Sequence, residues 1–432
     1  MKTKTMKNMK TTIVKSALLA AGISVLSMGS VAAFAATDLS LWYHGAGNPV
    51  EAKIIDQIVA DFNKSQADWK VALQSFPQES YNDSVIAAAL AGNLPDIMDV
   101  DGPVMPNWAW AGYLQPLKID NASIENFLPG TKGYWDGQLY SLGLWDAAVA
   151  MITRKSTLMN ANIRIPTLAQ PWTLNEFNSA LETLKQTGQY DYPLDLGLAW
   201  KGEWYPYAFS PLLQSFGGDI INRDTYQTAE GALNGDAAIA FGEWWQMLFQ
   251  KGYTPGNSQD SADRETGLVE GKYAIQWNGN WTALNMLKAF GDDVLFLPAP
   301  DLGNGPKIGA ASWQFGVSAS TPHGQGATDF IKFASQDRYL TAFSDAIGLI
   351  PPTKAAAAAS QYYKTDAPMA TFFELSAQQA MLRPVTPGYV VAAKVFEKAL
   401  ADIADGADVT DTLDNAADEI NTDIRRNLGY GH

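Results

Sequence analysis

The chain has 432 residues, with 30 Lys and Arg against 45 Asp and Glu, a formal net charge of −15 and no cysteine. The acidic balance argues against nucleic acid or an anionic membrane as a partner, because both attract a basic surface. The lack of cysteine excludes disulfides, thiolate metal sites and a cysteine nucleophile. The length exceeds what one hydrophobic core usually holds, so two domains are expected.

Residues 1–35 are typical of an export signal. Five lysines and no acid precede an apolar run from Ser16 to Met28, and Ala33-Phe34-Ala35 fits the small-x-small cleavage rule. We therefore expect a mature chain that begins at Ala36, with a net charge of −20 once the five lysines are removed. No later segment reaches the roughly 18 uninterrupted apolar residues of a membrane span.

The first part of the mature chain alternates between strand and helix patterns. The pattern predicts strands at Leu39–Tyr43, Val71–Phe76 and Ile97–Val100, and helices from Asn48-Pro49 onward and at Tyr81–Ala91. Such alternation favours an α/β fold with parallel strands and covering helices. Ligands of these sheets bind beyond the carboxyl ends of the strands, which is where His44, Glu79 and Asp101 fall.

The middle and the end of the chain are mostly helical. Thr173 followed by Glu176 predicts a capping box, and residues 231–253 predict a helix of about four turns. An acidic amphipathic helix is expected over Ala401–Arg426.

The segment "EGKYAIQWNGNW", from Glu270 to Trp281, combines a short buried strand with a turn rich in amides. We expect Asn280 to N-cap a helix that opens at Trp281. A flat indole beside planar amides suits a sugar, which has an apolar C–H face and a rim of hydroxyls. Two Trp residues packed in an ordinary core are the alternative interpretation.

The same segment resembles the "GKxAMxxNGPW" stretch of extracellular solute-binding proteins that serve ATP-driven sugar importers, the class of the maltodextrin-binding proteins. Further pieces resemble the family in the same order along the chain: "AGNLPDIMDVDG" (Ala91–Gly102), "YSLGLWDAAVAMITR" (Tyr140–Arg154), "ASWQFGVSAS" (Ala311–Ser320) and "RPVTPGY" (Arg383–Tyr389). Asn280 departs from the family, which commonly has Pro at that position.

The resemblance implies a two-lobed periplasmic binding protein fold with a hinge between the lobes. It places three crossovers near Leu144–Ala150, Val294–Pro300 and Ile347–Pro352. The expected N-terminal lobe is 36–146 plus 297–347, and the expected C-terminal lobe is 147–296 plus 348–432.

Buried sugar hydroxyls need hydrogen-bond partners, since an unmet polar group costs about 1–3 kcal/mol. Planar polar side chains and aromatic faces next to strand ends and glycine turns are therefore the candidate ligand contacts, with Trp281 matching the family's stacking Trp. The predicted ligand-binding residues are His44, Glu79, Asp101, Trp145, Asp146, Trp204, Tyr205, Asn278, Gly279, Trp281, Trp313 and Arg383.

An enzyme is the competing hypothesis, because paired carboxylates beside aromatic rings also describe glycosidases. The candidate acids are Asp99, Asp101, Asp146 and Glu203. The three histidines are scattered, and the chain has no HExxH, GxSxG or Walker A motif. We expect no catalysis, no cofactor and no metal.

The sequence thus predicts the periplasmic substrate-binding component of an ATP-driven sugar importer, a monomer that captures a disaccharide or short oligosaccharide by hinge closure. Its expected partners are the carbohydrate and the membrane permease subunits of the importer. A free periplasmic protein of a Gram-negative bacterium is favoured, because the lipid-anchoring cysteine of Gram-positive family members is missing. A monosaccharide, a polyol, a charged sugar derivative, a peptide or a polyamine stays open as the ligand.

Overall fold

The computed structural model describes residues 36–256, 266–311 and 313–431. The predicted export signal, residues 1–35, lies outside the described residues. The strands are β1 (Thr37–Tyr43), β2 (Trp69–Ser75), β3 (Ile97–Asp101), β4 (Leu114–Gln115), β5 (Lys132–Trp135), β6 (Gln138–Leu142), β7 (Val149–Arg154), β8 (Tyr192–Asp195), β9 (Tyr273–Gly279), β10 (Val294–Leu297), β11 (Ile308–Gly309), β12 (Trp313–Ser318) and β13 (Ala380–Met381).

Helices connect these strands and form much of the second half of the chain. They are α1 (Pro49–Ser65), α2 (Gln78–Ala91), α3 (Met105–Trp110), α4 (Lys155–Asn160), α5 (Leu174–Gln186), α6 (Trp204–Phe216), α7 (Asp236–Gln250), α8 (Ala283–Phe290), α9 (Gly324–Ala334), α10 (Asp337–Ile347), α11 (Lys354–Ala359), α12 (Ala370–Gln379), α13 (Tyr389–Ala404) and α14 (Val409–Arg426).

The larger sheet has seven strands in the order β2-β1-β3-β12-β6-β5, with β4 pairing to β12. β1 runs parallel to β2 and β3, which confirms the predicted parallel arrangement of the first three strands. β12 is antiparallel to β3 and places Trp313 opposite Asp101. The start of β12 and the carboxyl end of β3 therefore meet at one edge of the sheet.

A four-stranded sheet, in the order β10-β7-β9-β8, forms the second framework. β8 is parallel to β9, whereas β7 is antiparallel to both β9 and β10. β11 and β13 form a separate parallel pair. All seven residues of β9 are buried, and its carboxyl end leads through a short 3-10 turn into α8.

The connections between the two sheets lie side by side. Asp146 and Ile350 exchange two backbone hydrogen bonds of 2.8 and 3.0 Å, and Ala148 bridges Ala310. Asp146 and Ala148 lie in the first predicted crossover and Ile350 lies in the third, whereas Ala310 lies outside all three. The chain re-enters the seven-stranded sheet only at Trp313, after β10 and β11, so sheet membership favours a second crossover at 310–311. The lobe boundaries themselves stay a prediction.

Local sequence signals explain several helix ends. Asn48 caps α1 by accepting hydrogen bonds from the backbone N–H groups of Val50 and Glu51, and Pro49 occupies the first turn, as predicted. The capping box of Thr173 and Glu176 at the start of α5 is also confirmed. The single helix predicted over Ala401–Arg426 is wrong, because the chain turns at Gly406 with φ of +98° and splits it between α13 and α14.

The buried apolar residues form one large cluster around the four-stranded sheet and two around the seven-stranded sheet. Burial of this kind supplies most of the stabilisation, at about 25 cal/mol per Å² of apolar surface. Among the described residues, no helix combines the length and the apolar character that crossing a membrane requires.

Candidate functional site

The edge where β1, β3 and β12 meet carries a cluster that we call the imidazole cluster: Tyr43, His44, Glu51, Asp99 and Trp313. The His44 ring stacks on the Trp313 indole with centroids 3.9 Å apart and planes 9° apart. Its Nδ1 contacts the Asp99 carboxylate, and its Nε2 lies 3.8 Å from Glu51 Oε1. His44 is only 5% exposed. Its nitrogens are thus engaged by the protein, which argues against the predicted direct ligand contact.

Asp101 ends β3 beside this cluster and is half-buried. Burial raises the pKa of its carboxyl, while Arg383 and His44 act in the opposite direction. Trp313 is also half-buried, so both residues keep accessible surface. Asp101 and Trp313 are thus predicted ligand contacts that remain accessible on the seven-stranded sheet. Glu79, a third predicted contact, is exposed in the first turn of α2.

The carboxyl end of β9 carries buried carboxamides. The Asn280 side chain accepts a hydrogen bond from Ala148 N (2.9 Å) and donates one to Gly348 O (2.9 Å). The prediction that Asn280 caps a helix is therefore wrong: Gly279 precedes the 3-10 turn, and α8 begins at Ala283. Asn280 instead ties together the first and third crossover segments.

Asp146 and Asn278 are also fully buried and satisfied by the protein. The Asp146 carboxylate accepts hydrogen bonds from Ala147 N (2.9 Å), Ala311 N (2.8 Å) and the Ser376 hydroxyl (2.5 Å). Asn278 donates to Gln276 and accepts from Gly279 N. Both were predicted to bind ligand, but in this structure their polar atoms bond to backbone and side-chain groups of the protein at the crossovers and at the end of β9.

An aromatic cluster of Trp200, Trp204, Tyr207 and Trp281 lies beside the end of β9. The Trp281 ring centroid is 6.1–6.4 Å from those of the other three, and its ring is half-buried. A Cβ on Gly279 would lie 2.0 Å from the indole, so only glycine leaves room for the ring there. The structure thus brings together three predicted residues: Trp204, Gly279 and Trp281.

Arg383 contacts the aromatic cluster and acts electrostatically on Asp101. Its guanidinium lies 4.7 Å from the Tyr207 ring centroid, and its Nη1 donates to Ala310 O (2.8 Å). Its Nε is 3.0 Å from Glu203 Oε1, in ion-pair contact rather than a directed hydrogen bond. Burial raises the pKa of Glu203 to about 7, and Asp101 adds to the rise, although Arg383 opposes it.

Sequence reasoning did not single out Tyr207 as a candidate. Its hydroxyl is buried and has no hydrogen-bond partner among the described residues. Because an unmet buried hydroxyl is costly, it marks a place where a bound polar group would be stabilised. The spacing within α6 offered a signal: Tyr207 lies one turn after Glu203, on the same face as the residue that pairs with Arg383.

Two other predicted contacts lie in the interior. Trp145 is 4% exposed and packs 4.8 Å from Phe343, and Tyr205 is fully buried 5.3 Å from Phe209. Their rings contribute to the cores, so direct ligand contact would require a rearrangement. A residue's place in the sequence does not show whether its ring points into the core or toward a ligand.

A cavity of ≈ 240 Å³ adjoins Arg383. The cavity is lined by Gly102, Gly133 and Gln314, in or next to strands of the seven-stranded sheet, and by Arg383 and Val385 in the segment before α13. No group of three or more His, Asp or Glu side chains suited to a metal ion occurs among residues 36–256, 266–311 and 313–431. Arg383 thus lines the cavity, whereas the half-buried Trp281 indole and the buried, unpaired Tyr207 hydroxyl lie outside its wall.

Comparison with known proteins identifies the family. The profile described as "Bacterial extracellular solute-binding protein" matches residues 57–371. An uncharacterized lipoprotein in the oleD 5′ region of Streptomyces antibioticus is 25% identical over 304 residues, which are 68% of this chain and 66% of the relative. The match therefore spans just under two thirds of that relative's length.

Solved structures share the fold. The cyclic α-maltosyl-1,6-maltose binding protein of Arthrobacter globiformis aligns with a TM-score of 0.76 at 21% identity over 90% of this chain and 100% of its own. The sugar-binding protein MalE of Xanthomonas citri gives 0.73 at 19% over 91% and 99%. The GacH receptor of Streptomyces glaucescens gives 0.72 at 18% over 90% and 98%. These likenesses confirm the predicted two-lobed α/β fold class.

Proposed function

The chain belongs to the family of bacterial extracellular solute-binding proteins, and from this membership we propose that it captures a carbohydrate for an ATP-driven importer. The structures that share the fold include a cyclic α-maltosyl-1,6-maltose binding protein, a receptor in complex with acarbose and a maltose/maltodextrin-binding domain bound to maltotriose. A sugar is the ligand class that they have in common, and it is the class that the site chemistry favours here.

The observation that carries the proposal is the unpaired Tyr207 hydroxyl between Trp281 and Arg383. A half-buried indole supports the C–H face of a sugar ring. The O–H rim of the sugar would pair with the charged groups and, after a local rearrangement that exposes it, with the buried Tyr207 hydroxyl. Peptide or polyamine binding is less favoured, because the accessible surface beside Tyr207 consists of aromatic rings more than of carboxylates.

We propose a disaccharide or short oligosaccharide as the ligand. Trp281 and Trp313 stand on different sheets, so each can support its own ring. The ≈ 240 Å³ cavity beside Arg383 is below the roughly 300–1,000 Å³ of common ligand sites and is lined by none of Trp281, Trp313 and Tyr207, so it would hold only a part of such a ligand. A monosaccharide or polyol filling the cavity alone is the alternative within the same class.

Hinge closure is the proposed mechanism. Asp101 and Trp313 belong to one sheet, whereas Trp281 lies at the end of a strand of the other, and the crossover bonds of Asn280 join the two. A ligand that contacts both sides stabilises the form in which they are close, so binding shifts the equilibrium between open and closed forms. The permease subunits of the importer would then recognise the closed form outside the cytoplasmic membrane.

The test begins with a thermal-shift screen of sugars, peptides and amines, since a ligand that binds only the native state raises the melting temperature. Maltose, maltotriose and trehalose represent the expected class. A shift with peptides or amines and none with sugars would overturn the proposal.

Release of glucose from maltose during incubation would instead favour a carbohydrate-active enzyme, for which Glu203, with its pKa of about 7, would be the acid to test.

Replacing Trp281 tests the site itself. Trp281→Ala should weaken binding of the best sugar by about 2–4 kcal/mol, because the stacking area is lost. Titration calorimetry measures the change, and the melting temperature checks the fold. The matched control is Trp110→Ala, which removes a 43% exposed Trp from α3. Wild-type affinity in Trp281→Ala would remove this residue from the binding site.

A further inference from the structure

We propose that His44 is a positioning residue, whose imidazole lies beneath Trp313 and holds the indole as a platform for a sugar ring. The inference rests on the proposed function, and it assigns His44 a role without ligand contact. In this role His44 connects Trp313, a proposed ligand contact, to the buried acidic groups Asp99 and Glu51.

The stacking geometry is the first step. The two rings are parallel within 9° at 3.9 Å, so the imidazole covers one face of the indole. Tyr81 meets the indole edge-on, with centroids 5.4 Å apart and planes 82° apart. Trp313 nevertheless stays half-buried rather than buried. His44 covers one face of the indole, so a ligand ring would stack on the part of the indole that stays accessible.

The second step is the fixation of His44 itself. Asp99 holds Nδ1, and the Asp99 backbone N–H donates to the Tyr81 hydroxyl at 3.0 Å. Glu51 lies 3.8 Å from Nε2 and accepts hydrogen bonds from the Tyr43 hydroxyl and from Asn48 Nδ2, the latter at 3.2 Å. The imidazole can therefore neither rotate nor leave the stack without breaking contacts to two buried acids.

The third step concerns charge. The titratable groups that face His44 are Asp99, Glu51 and Asp101, and the Tyr43 ring lies against the imidazole with centroids 4.8 Å apart. Burial alone would lower the pKa of His44, but the three acids outweigh it and raise the pKa. A cation stacked on an indole is attracted by the ring's quadrupole. Protonated His44 thus fixes the Trp313 ring, and loss of the proton loosens it.

The experiment reads Trp313 directly. The difference in tryptophan emission between the wild type and Trp313→Phe is followed from pH 5 to pH 9 without ligand. Protonated imidazole quenches a stacked indole more than neutral imidazole does. We expect the difference signal to rise in one step with a midpoint above pH 6.5, to lose that step in His44→Phe, and to keep it in the control His323→Phe.

A second variant guards against misfolding of His44→Phe. Asp99→Asn removes one of the acids that keep His44 charged, so the midpoint should move to lower pH. A midpoint that does not move, or a step that survives in His44→Phe, would overturn the positioning role.

Binding is tested separately by titration with maltose at pH 7. His44→Phe should weaken binding by about 2- to 30-fold, the range expected for loss of one cation–aromatic contact. Unchanged maltose affinity in His44→Phe overturns the inference while sugar capture stands. If the emission step depends on His44 but neither maltose nor any other sugar binds, the proposed function is wrong and the His44–Trp313 coupling is retained.

Discussion

The two sheets approach the candidate site with different chemistry. The seven-stranded sheet ends in charged groups beneath one indole, with His44 between Asp99 and Glu51 and stacked on Trp313. The four-stranded sheet ends in neutral carboxamides beside the aromatic cluster, with Asn280 and Trp281 as its central residues. One side is organised by ion pairs, and the other by hydrogen bonds and ring packing.

Because of this difference, we expect the two sides of the site to respond to different changes. Charged contacts respond to pH, because protonation changes their strength. Carboxamide hydrogen bonds and packed rings do not titrate, so they should respond to shape and to lost partners instead. Arg383, Glu203 and Asp101 lie where the two sides meet, and they should show a mixture of both behaviours.

The largest effect is expected at Asn280. Asn280→Ala removes two hydrogen bonds and leaves the buried Ala148 N–H without its partner, while Gly348 O keeps the bond from the Tyr363 hydroxyl. We expect a loss of about 2–4 kcal/mol in the free energy of unfolding, measured by urea titration. The loss should be the same at pH 5.5 and pH 8, since no titratable group is involved.

The control for Asn280 is Asn415→Ala on the exposed face of α14, where one side-chain hydrogen bond to Asp411 O is lost. It should change stability by less than about 0.5 kcal/mol. A small effect in both variants would mean that the crossovers do not depend on the carboxamide.

A smaller and purely geometric effect is expected at Gly279. The added methyl group of Gly279→Ala would lie 2.0 Å from the Trp281 ring and must displace it. We expect sugar affinity to fall about tenfold, near 1.4 kcal/mol, because the stacking surface is tilted rather than removed. Titration calorimetry measures the loss. Gly256→Ala, with no atom within 4 Å of the new methyl group, is the matched control.

Retention of full affinity in Gly279→Ala together with a large loss in Trp281→Ala would show that the indole moves freely while bound. That result would contradict the fixed ring packing described for this side of the site.

The sequence predicted the framework well, for identifiable physical reasons. Period-two and period-3.6 patterns revealed β1, β3 and α1, because burial selects the residue type at each position of a regular element. The capping residues Asn48 and Thr173 were equally readable, since each cap satisfies backbone donors a few residues away. The two-lobed fold was predicted from the resemblance to the solute-binding family, because composition alone does not specify a fold.

Side-chain direction was not readable in the same way. His44, Trp145 and Asn280 follow strands or turns as ligand contacts would, yet their atoms are used by neighbours that are distant in sequence. Asn280 depends on Ala148 and Gly348, and Trp145 on Phe343. Tyr207 was missed for the converse reason, since a helical aromatic residue looks like core until its hydroxyl is found without a partner.

The smallest expected effect is a change in pH dependence at Glu203, where the two sides meet. The folded chain holds the pKa of this carboxyl at about 7, against an ordinary value of 4.5. As pH rises from 4.5 to 7, the unfolded chain loses this proton first, so the folded state loses stability through that window and no further above it. Glu203→Gln cannot titrate, so its stability relative to the wild type should rise with pH between 4.5 and 7 and then level off.

Urea unfolding at pH 4.5, 5.5, 6.5 and 7.5 checks this, with Glu419→Gln on the exposed face of α14 as the control. The partial exposure of Glu203, at 34% of its side chain, should keep the amplitude modest. Parallel pH profiles for the wild type and Glu203→Gln would mean that the carboxyl titrates normally. The link from Asp101 through Arg383 to the aromatic cluster would then be geometric only, and pH sensitivity would be confined to the side of the site that contains His44.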